Sequence, residues 1–324
     1  MKYSILLLSL AAIILQGCMY DATETKVNNE IDAGLRQIIK TKNDSLLNAL
    51  SDSDNKALKA LGTEDFVKHL QSRIENVVWA FRRGTLDTKY TVYTDYYNKH
   101  EKAPNNTKLE SGEGNYIFMY GNTTKETYVS LLKTSYADIS DYLVTTIYEL
   151  HNGKWKLNYV HIDALGQYGK NAQEYYEIAK QKAEKGFFID AAFNIDMAES
   201  FIKPSADMLR YNNEADILKY QKEWHNEVNR NYRFPDTLHT ISSKPVIMDL
   251  KPVNNKQGMY PMFSYLTQVP IQDTTVLKME LEDIKATVKK SYTGLDFSAK
   301  NIYYRAYNNN NYNKYHEFKE VNAK

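Results

Sequence analysis

The sequence predicts an α+β chain, and three observations predict it. Apolar residues recur at three- and four-residue spacing from Ile31 to Arg83. The period falls toward two from Lys89 to Ile162. It returns to helical from Asn171 to about Arg230. Helices followed by a meander of strands is an α+β order, not an alternating one. The expected divisions are 1–17 a leader, 18–30 a tether, 31–165 an α+β domain, 171–232 a helical hairpin with a capping helix, and 236–324 a small α+β segment of unknown type. The roughly 300 residues after Cys18 are enough for two or three domains.

Near the amino end, Lys2 precedes an apolar run from Ile5 to Leu15, and Leu15-Gln16-Gly17-Cys18 follows. A spanning helix needs about 20 apolar residues, and this run is about half that. It has the size and flanks of a signal-peptide h-region and stands outside fold reasoning. Cys18 is the only cysteine, so disulfides are excluded and stability must come from packed cores. The arrangement resembles a bacterial lipoprotein signal peptide with its lipobox, although Gln16 is a less usual occupant of its place. The resemblance implies lipidation of Cys18 by palmitate-like chains, cleavage before it, and a lipid bilayer as partner. Two or three acyl chains anchor stably where one does not. Met19 follows where an Asp would mark inner-membrane retention, so the expected address is the outer membrane, facing periplasm or surface.

In the first domain, Leu35, Ile38 and Ile39, then Leu46, Leu47 and Leu50, then Leu58 and Leu61, then Phe66 to Phe81 keep helical spacing. Ser51-Asp52-Ser53-Asp54 offers one cap and Thr63 another; Arg82-Arg83-Gly84 closes the last helix. Lys89–Asn98, Tyr116–Tyr120, Tyr128–Thr134 and Tyr142–Leu150 are expected strands, and Lys102–Gly114 a loop. Asn152-Gly153 marks a hairpin turn, since both residues accept positive φ. In the return strand Trp155, Leu157, Tyr159 and His161 share one face; Lys156, Asn158, Val160 and Ile162 share the other. The helix pair, the longer helix to Gly84, and the ending Tyr148-Glu149-Leu150-His151-Asn152-Gly153-Lys154-Trp155-Lys156-Leu157 resemble the NTF2-like family. That resemblance implies helices packed on a curved antiparallel sheet, a cone.

Next, Tyr175, Ile178, Ala179, Gly186, Phe188, Ala191, Ile195 and Ala198 recur through the second helical stretch; of these Ala179, Ala191 and Ala198 are small where two antiparallel helices would approach closely, and Lys185-Gly186 turns the chain between them. These offsets resemble one tetratricopeptide repeat, with Lys182 where that family has an aromatic residue and Pro204 one place late. Leu209–Tyr232 is an expected third helix that caps the pair, because a single repeat cannot bury its face alone. The C-terminal segment is punctuated by prolines, with strands near Val246–Leu250 and Tyr260–Leu266. A helix over Asp273–Tyr292 carries the stripe Val276, Leu277, Leu281, Ile284 and Val288, and Asp273 caps it. Ile302–Tyr307 is a strand, and the tail beyond it is loose.

A formal net charge of +1, near zero once Lys2 is removed, argues against nucleic acid as a partner. The 27 Tyr against 11 Phe suit half-wet sheet faces and grooves, or reflect compositional habit. No cofactor is expected: there is no P-loop, dinucleotide or Gly-x-Ser-x-Gly fingerprint. No metal site is expected, because no two of the seven histidines lie within four residues of each other. Three functions stay open. The first is an envelope binding or assembly module for a protein, peptide or small ligand, with Tyr175, Phe188, Leu218 and Trp224 as candidate partner-binding residues. The second is an isomerase- or lyase-type enzyme working in the cone. It would draw on Tyr93, Tyr97, Tyr148 and, as catalytic candidates, Tyr159, His161 and Asp163; the alternative is that Trp155, Tyr159 and His161 only fill the cone. The third is a purely structural envelope component.

Overall fold

A computed structural model describes residues 24–71, 74–75, 77–78, 87–112, 115–136, 139–298, 301–308 and 313–322. The leader, Cys18, and the closing Arg82-Arg83-Gly84 lie outside the described residues. The chain is mixed α+β with a curled antiparallel sheet. It divides into two units: residues up to Gly169 with Phe201–Glu214, and Lys170–Ser200 with Ala215–Lys324. No helix among the described residues is long and apolar enough to cross a membrane.

In the first unit, helix α1 (Ala33–Ser51) starts at Asp32, whose carboxylate accepts the Leu35 amide. Helix α2 (Asn55–Leu61) is capped by Asp54 and α3 (Glu64–Lys68) by Thr63, as Ser/Thr/Asp side chains satisfy the free first-turn amides. These helices pack on one face of an antiparallel sheet. Five of its six strands are β1 (Glu24–Val27), β2 (Thr91–Lys99), β5 (Glu126–Tyr136), β6 (Ser140–His151) and β7 (Lys154–Gln167), side by side in that order. Between β2 and β5 the chain makes β3 (Asn105–Glu110) and β4 (Tyr116–Asn122). The returning segment contributes β8 (Pro204–Asp207) and β9 (Leu209–Tyr211), and β9 joins β4 and β3 as a small second sheet.

Several expectations change here. The tether is shorter, because from Glu24 the chain pairs with β2 and Thr25 donates to Asn98. The loop expected over Lys102–Gly114 contains β3, whose Thr107 and Leu109 alternate inward against β4; the Pro and Asn signals mark only the strand's start. Leu209–Tyr211 is a strand, and the third helix begins only at Glu214. The Asn152-Gly153 turn forms as expected, with φ of 49° and 74°.

One difference matters most for the site. Tyr148 pairs with Leu157 but Ile147 pairs with Tyr159, so Asn158 is an extra residue in β7. Such a bulge inverts the side chains that follow it, here as far as a second irregularity at Leu165. Trp155 and Leu157, and beyond the bulge Val160 and Ile162, therefore face the helices, while Tyr159 and His161 face away. The single face expected for Trp155, Leu157, Tyr159 and His161 is split in two.

In the second unit, helices α4 (Ala172–Glu184) and α5 (Phe188–Ser200) form a hairpin closed at Gly186, φ 80°, where a side chain would be strained. Helix α6 (Glu214–Asn231) follows, then β10 (Asp236–Thr237), β11 (Val246–Asn255), β12 (Gly258–Leu266), α7 (Thr274–Ser291), β13 (Asn301–Tyr307) and β14 (Tyr315–Val321). The strands lie in chain order; β12 and β13 are parallel and α7 is their crossover. Asp273 caps α7 through the Val276 amide. The expected stripe of α7 is buried at Leu277, Leu281, Ile284 and Val288, but Val276 is exposed. The tail expected to be loose forms β14 against β13.

Hairpin and sheet share one core: Ile189 is buried with Phe263, Tyr292 and Tyr304. Lys182 is not an exception to the hairpin's packing but an ion-pair partner, 2.8 Å from Asp296. Buried Asp190 accepts the Asp296 amide at 2.7 Å, and desolvation pushes its carboxyl above the usual range. At Gly294 the chain touches the Phe188 ring: a β-carbon there would stand 2.4 Å from it. That ring cannot step aside easily, being stacked between Trp224 and Tyr232 at 6.3 and 6.1 Å. Gly294→Ala is therefore expected to destabilise this unit by about 1–3 kcal/mol, read as a lower urea midpoint.

Candidate functional site

The strongest site grows from one polar residue in an apolar stripe. On α1 the buried positions are Ile39, Asn43, Leu46, Leu47, Ala49 and Leu50. Asn43 falls where helical spacing calls for a hydrophobe, and so must find partners in the sheet. It does: its amide nitrogen donates to Ser130 Oγ at 3.2 Å. Its oxygen accepts from Tyr148 OH at 2.8 Å and Thr146 Oγ1 at 3.2 Å. Ser130 passes the chain on, donating to Asp95 Oδ1 at 2.7 Å, and Tyr128 OH donates to Asp95 Oδ2 at 2.9 Å. The residues Asn43, Asp95, Tyr128, Ser130, Thr146 and Tyr148 are all buried.

Asn43 and Asp95 of this network line an open cleft of about 400 Å³ between α1 and β2, with Ala33, Arg36, Gln37, Ile39, Tyr90 and Val92 among its walls. Burial is the largest influence on Asp95 and pushes its carboxyl above the ordinary aspartate value, against the lowering pull of Ser130, Tyr128 and the Arg36 charge. Arg36 hydrogen-bonds Asn29 Oδ1 through Nη1 at 3.0 Å. Its Nε is buried and has no hydrogen-bond partner. At the rim Lys40 pairs with Asp44 at 2.7 Å, and Tyr90 OH donates to the same carboxylate at 2.8 Å.

A second cluster lies by the bulge. The Glu149 carboxylate is fully buried and accepts from the Thr123 amide at 2.8 Å, from Thr123 Oγ1, and from Asn158 Nδ2 at 3.2 Å. His151 Nε2 stands 3.2 Å from it, at the edge of a cleft of about 720 Å³ that includes Thr63, Lys154 and Lys156. Here the buried carboxylate is saturated by donors, which is the condition for a structural one. A third cleft, about 610 Å³, is walled by Lys59, Lys68, Gln71 and Glu75 beside apolar Leu70 and Ile74. No cluster of three or more metal-ligating side chains occurs among the described residues.

The residues singled out from the sequence fall elsewhere. Tyr159 and His161 stack at 6.3 Å on the outer face of β7, and His161 Nε2 is 3.7 Å from Asp163 Oδ2, too far for a hydrogen bond. None of the three lines any of the clefts above. The same face of β6 and β7 is covered by β8, through Thr145 Oγ1 donating to Ser205 Oγ at 2.8 Å. Tyr97 donates to Glu126 at 2.7 Å, Tyr93 stacks on Tyr116, and only Tyr148 joins the Asn43 network. Of the partner candidates, Tyr175 is buried, Phe188 and Trp224 stack half-buried, and Leu218 is exposed. Cys18 lies outside the described residues. Sequence reading missed Arg36, Asn43 and Asp95; the one legible signal was Asn43 inside its stripe. Comparison with protein-family models, with curated proteins and with solved structures finds no match.

Proposed function

We propose that the chain is a lipid-anchored envelope protein whose first unit binds a small polar ligand in the Arg36–Asp95 cleft. One observation carries the binding half. The Arg36 guanidinium, hydrogen-bonded to Asn29, and the buried Asp95 carboxylate, held by Tyr128 and Ser130, line the same open cleft without pairing with each other. Convergent polar groups in a recess are what a ligand site requires, whereas a purely structural core satisfies its polar groups internally. Helices packed on a curled antiparallel sheet support an NTF2-like reading of this unit, and the Gly186-closed hairpin supports a tetratricopeptide-like reading of α4–α5.

The anchoring half rests on Leu15-Gln16-Gly17-Cys18 behind its short apolar run. Cells fed a clickable palmitate analogue should label the wild-type chain and not Cys18→Ala; equal labelling of both would remove the anchor. The ligand half is tested by incubating the purified mature chain with a small-molecule extract and weighing the native complex. A retained species absent from Asp95→Asn is the expected result, and no retained species would end this reading. The enzymatic alternative has one observation in its favour, Asp95 itself. A buried carboxyl pushed above its usual range is the kind of base that takes a proton from a carbon acid.

A further inference from the structure

Resting on that reading of the cleft, we propose that its ligand is a small zwitterion of the α-amino-acid class, with its carboxylate on Arg36 and its ammonium on Asp95. The two protein charges feel one another but make no direct ion pair, since the Arg36 and Asp95 contacts go to Asn29, Ser130 and Tyr128. Arg36 cannot neutralise itself by losing a proton, and its hydrogen bond to Asn29 uses one Nη1 N–H, which leaves further Nη donors for a ligand. A planar carboxylate is the partner that geometry suits. Asp95 is acceptor-only when ionised, and each oxygen has one protein donor, so each keeps room for a second. An ammonium with three N–H groups fills that room and returns the counter-charge that burial took away.

The two groups decide the class together. A simple anion would satisfy Arg36 and leave Asp95 repelled; a simple amine would do the reverse. Only a molecule carrying both charges satisfies both walls without changing the net charge of the cleft. About 400 Å³ accepts a small molecule of this kind, and Ala33, Ile39 and Val92 offer apolar wall to its side chain. The other two clefts differ in their carboxylates: Glu64 and Asp65 in one and Glu75 in the other are exposed, whereas Asp95 is buried, and their cations are lysines rather than an arginine.

The test is calorimetric titration of the full mature chain with each of the twenty protein L-amino acids. For any that binds, the same molecule is then tried without its amine and without its carboxylate. We expect binding by a subset, and a loss of tenfold or more when either charged group is deleted. Arg36→Gln should weaken amino acid and amine-free acid alike, while Asp95→Asn should weaken the amino acid at least tenfold and leave the amine-free acid unchanged. Arg36→Lys, which keeps the charge, should retain part of the affinity. If either variant fails to fold, the ligand series on the wild-type chain decides by itself. Equal affinity for amino acid and amine-free acid would overturn the zwitterion assignment. So would silence toward all twenty amino acids while another metabolite is retained in the native complex; in both cases the binding-module reading stands. Silence toward every probe together with an empty native complex would overturn both.

Discussion

Phe263→Ala is expected to cost the second unit about 3–5 kcal/mol. Phe263 sits mid-strand in β12 with no exposed surface. Its ring stacks on Tyr304 at 5.5 Å and on Phe297 at 6.4 Å, and meets the edge of Tyr292 at 5.4 Å. Tyr292 in turn stacks on Tyr232 at 5.1 Å and on Phe234 at 6.0 Å, so one ring joins sheet, crossover helix and the chain after α6. Truncation removes the transfer energy of a whole aromatic side chain. It also leaves a cavity that large neighbouring rings, each held by others, cannot close. Urea unfolding followed in the near ultraviolet should show a lower midpoint with an unchanged slope. Phe263→Leu, which fills most of the volume, should lose far less.

Asn43→Leu is expected to cost the first unit about 2–4 kcal/mol, although the new side chain has nearly the same size and a better transfer energy. The reason is what it strands. Tyr148 OH loses its acceptor and Thr146 Oγ1 loses its better one, and both residues are fully buried. Ser130 loses the donor that orients it, yet keeps its own bond to Asp95. A buried donor without a partner costs about 1–3 kcal/mol. The double variant Asn43→Leu, Tyr148→Phe should therefore recover about 1 kcal/mol or more over Asn43→Leu alone, because the stranded hydroxyl is gone. Thermal and urea unfolding of the two variants measure that difference. Additive losses would show that Tyr148 is not held by Asn43.

Much of the local structure was legible because its causes are local. Asp54, Thr63 and Asp273 cap the helices they precede, and Asn152-Gly153 turns where two residues of positive φ were needed. The failures have non-local causes. Asn158 becomes an extra residue only because β6 fixes the register on both sides of it, and no alternation in β7 alone reveals that. The strand of Leu209–Tyr211 exists because β4 offers it an edge from more than 80 residues earlier in the chain. The candidate site failed for the same reason. Arg36 and Asn43 come from α1, Asp95 from β2, and Ser130 from β5, so no spacing within any one segment assembles them. His161 and Asp163 are neighbours in sequence, but beyond the bulge they lie on the face of β7 away from the helices, so they do not meet the cleft.

The return of residues 201–214 to the first unit has a consequence for synthesis. A ribosome that has finished Gly169 has delivered helices and strands but not β9, so the outer edge of β4 still shows unpaired backbone groups. The hairpin of the other unit must emerge before that edge is sealed. Throughout that interval the nascent chain carries an open strand, and a holding chaperone or a pause-free stretch of message after Gly169 would protect it.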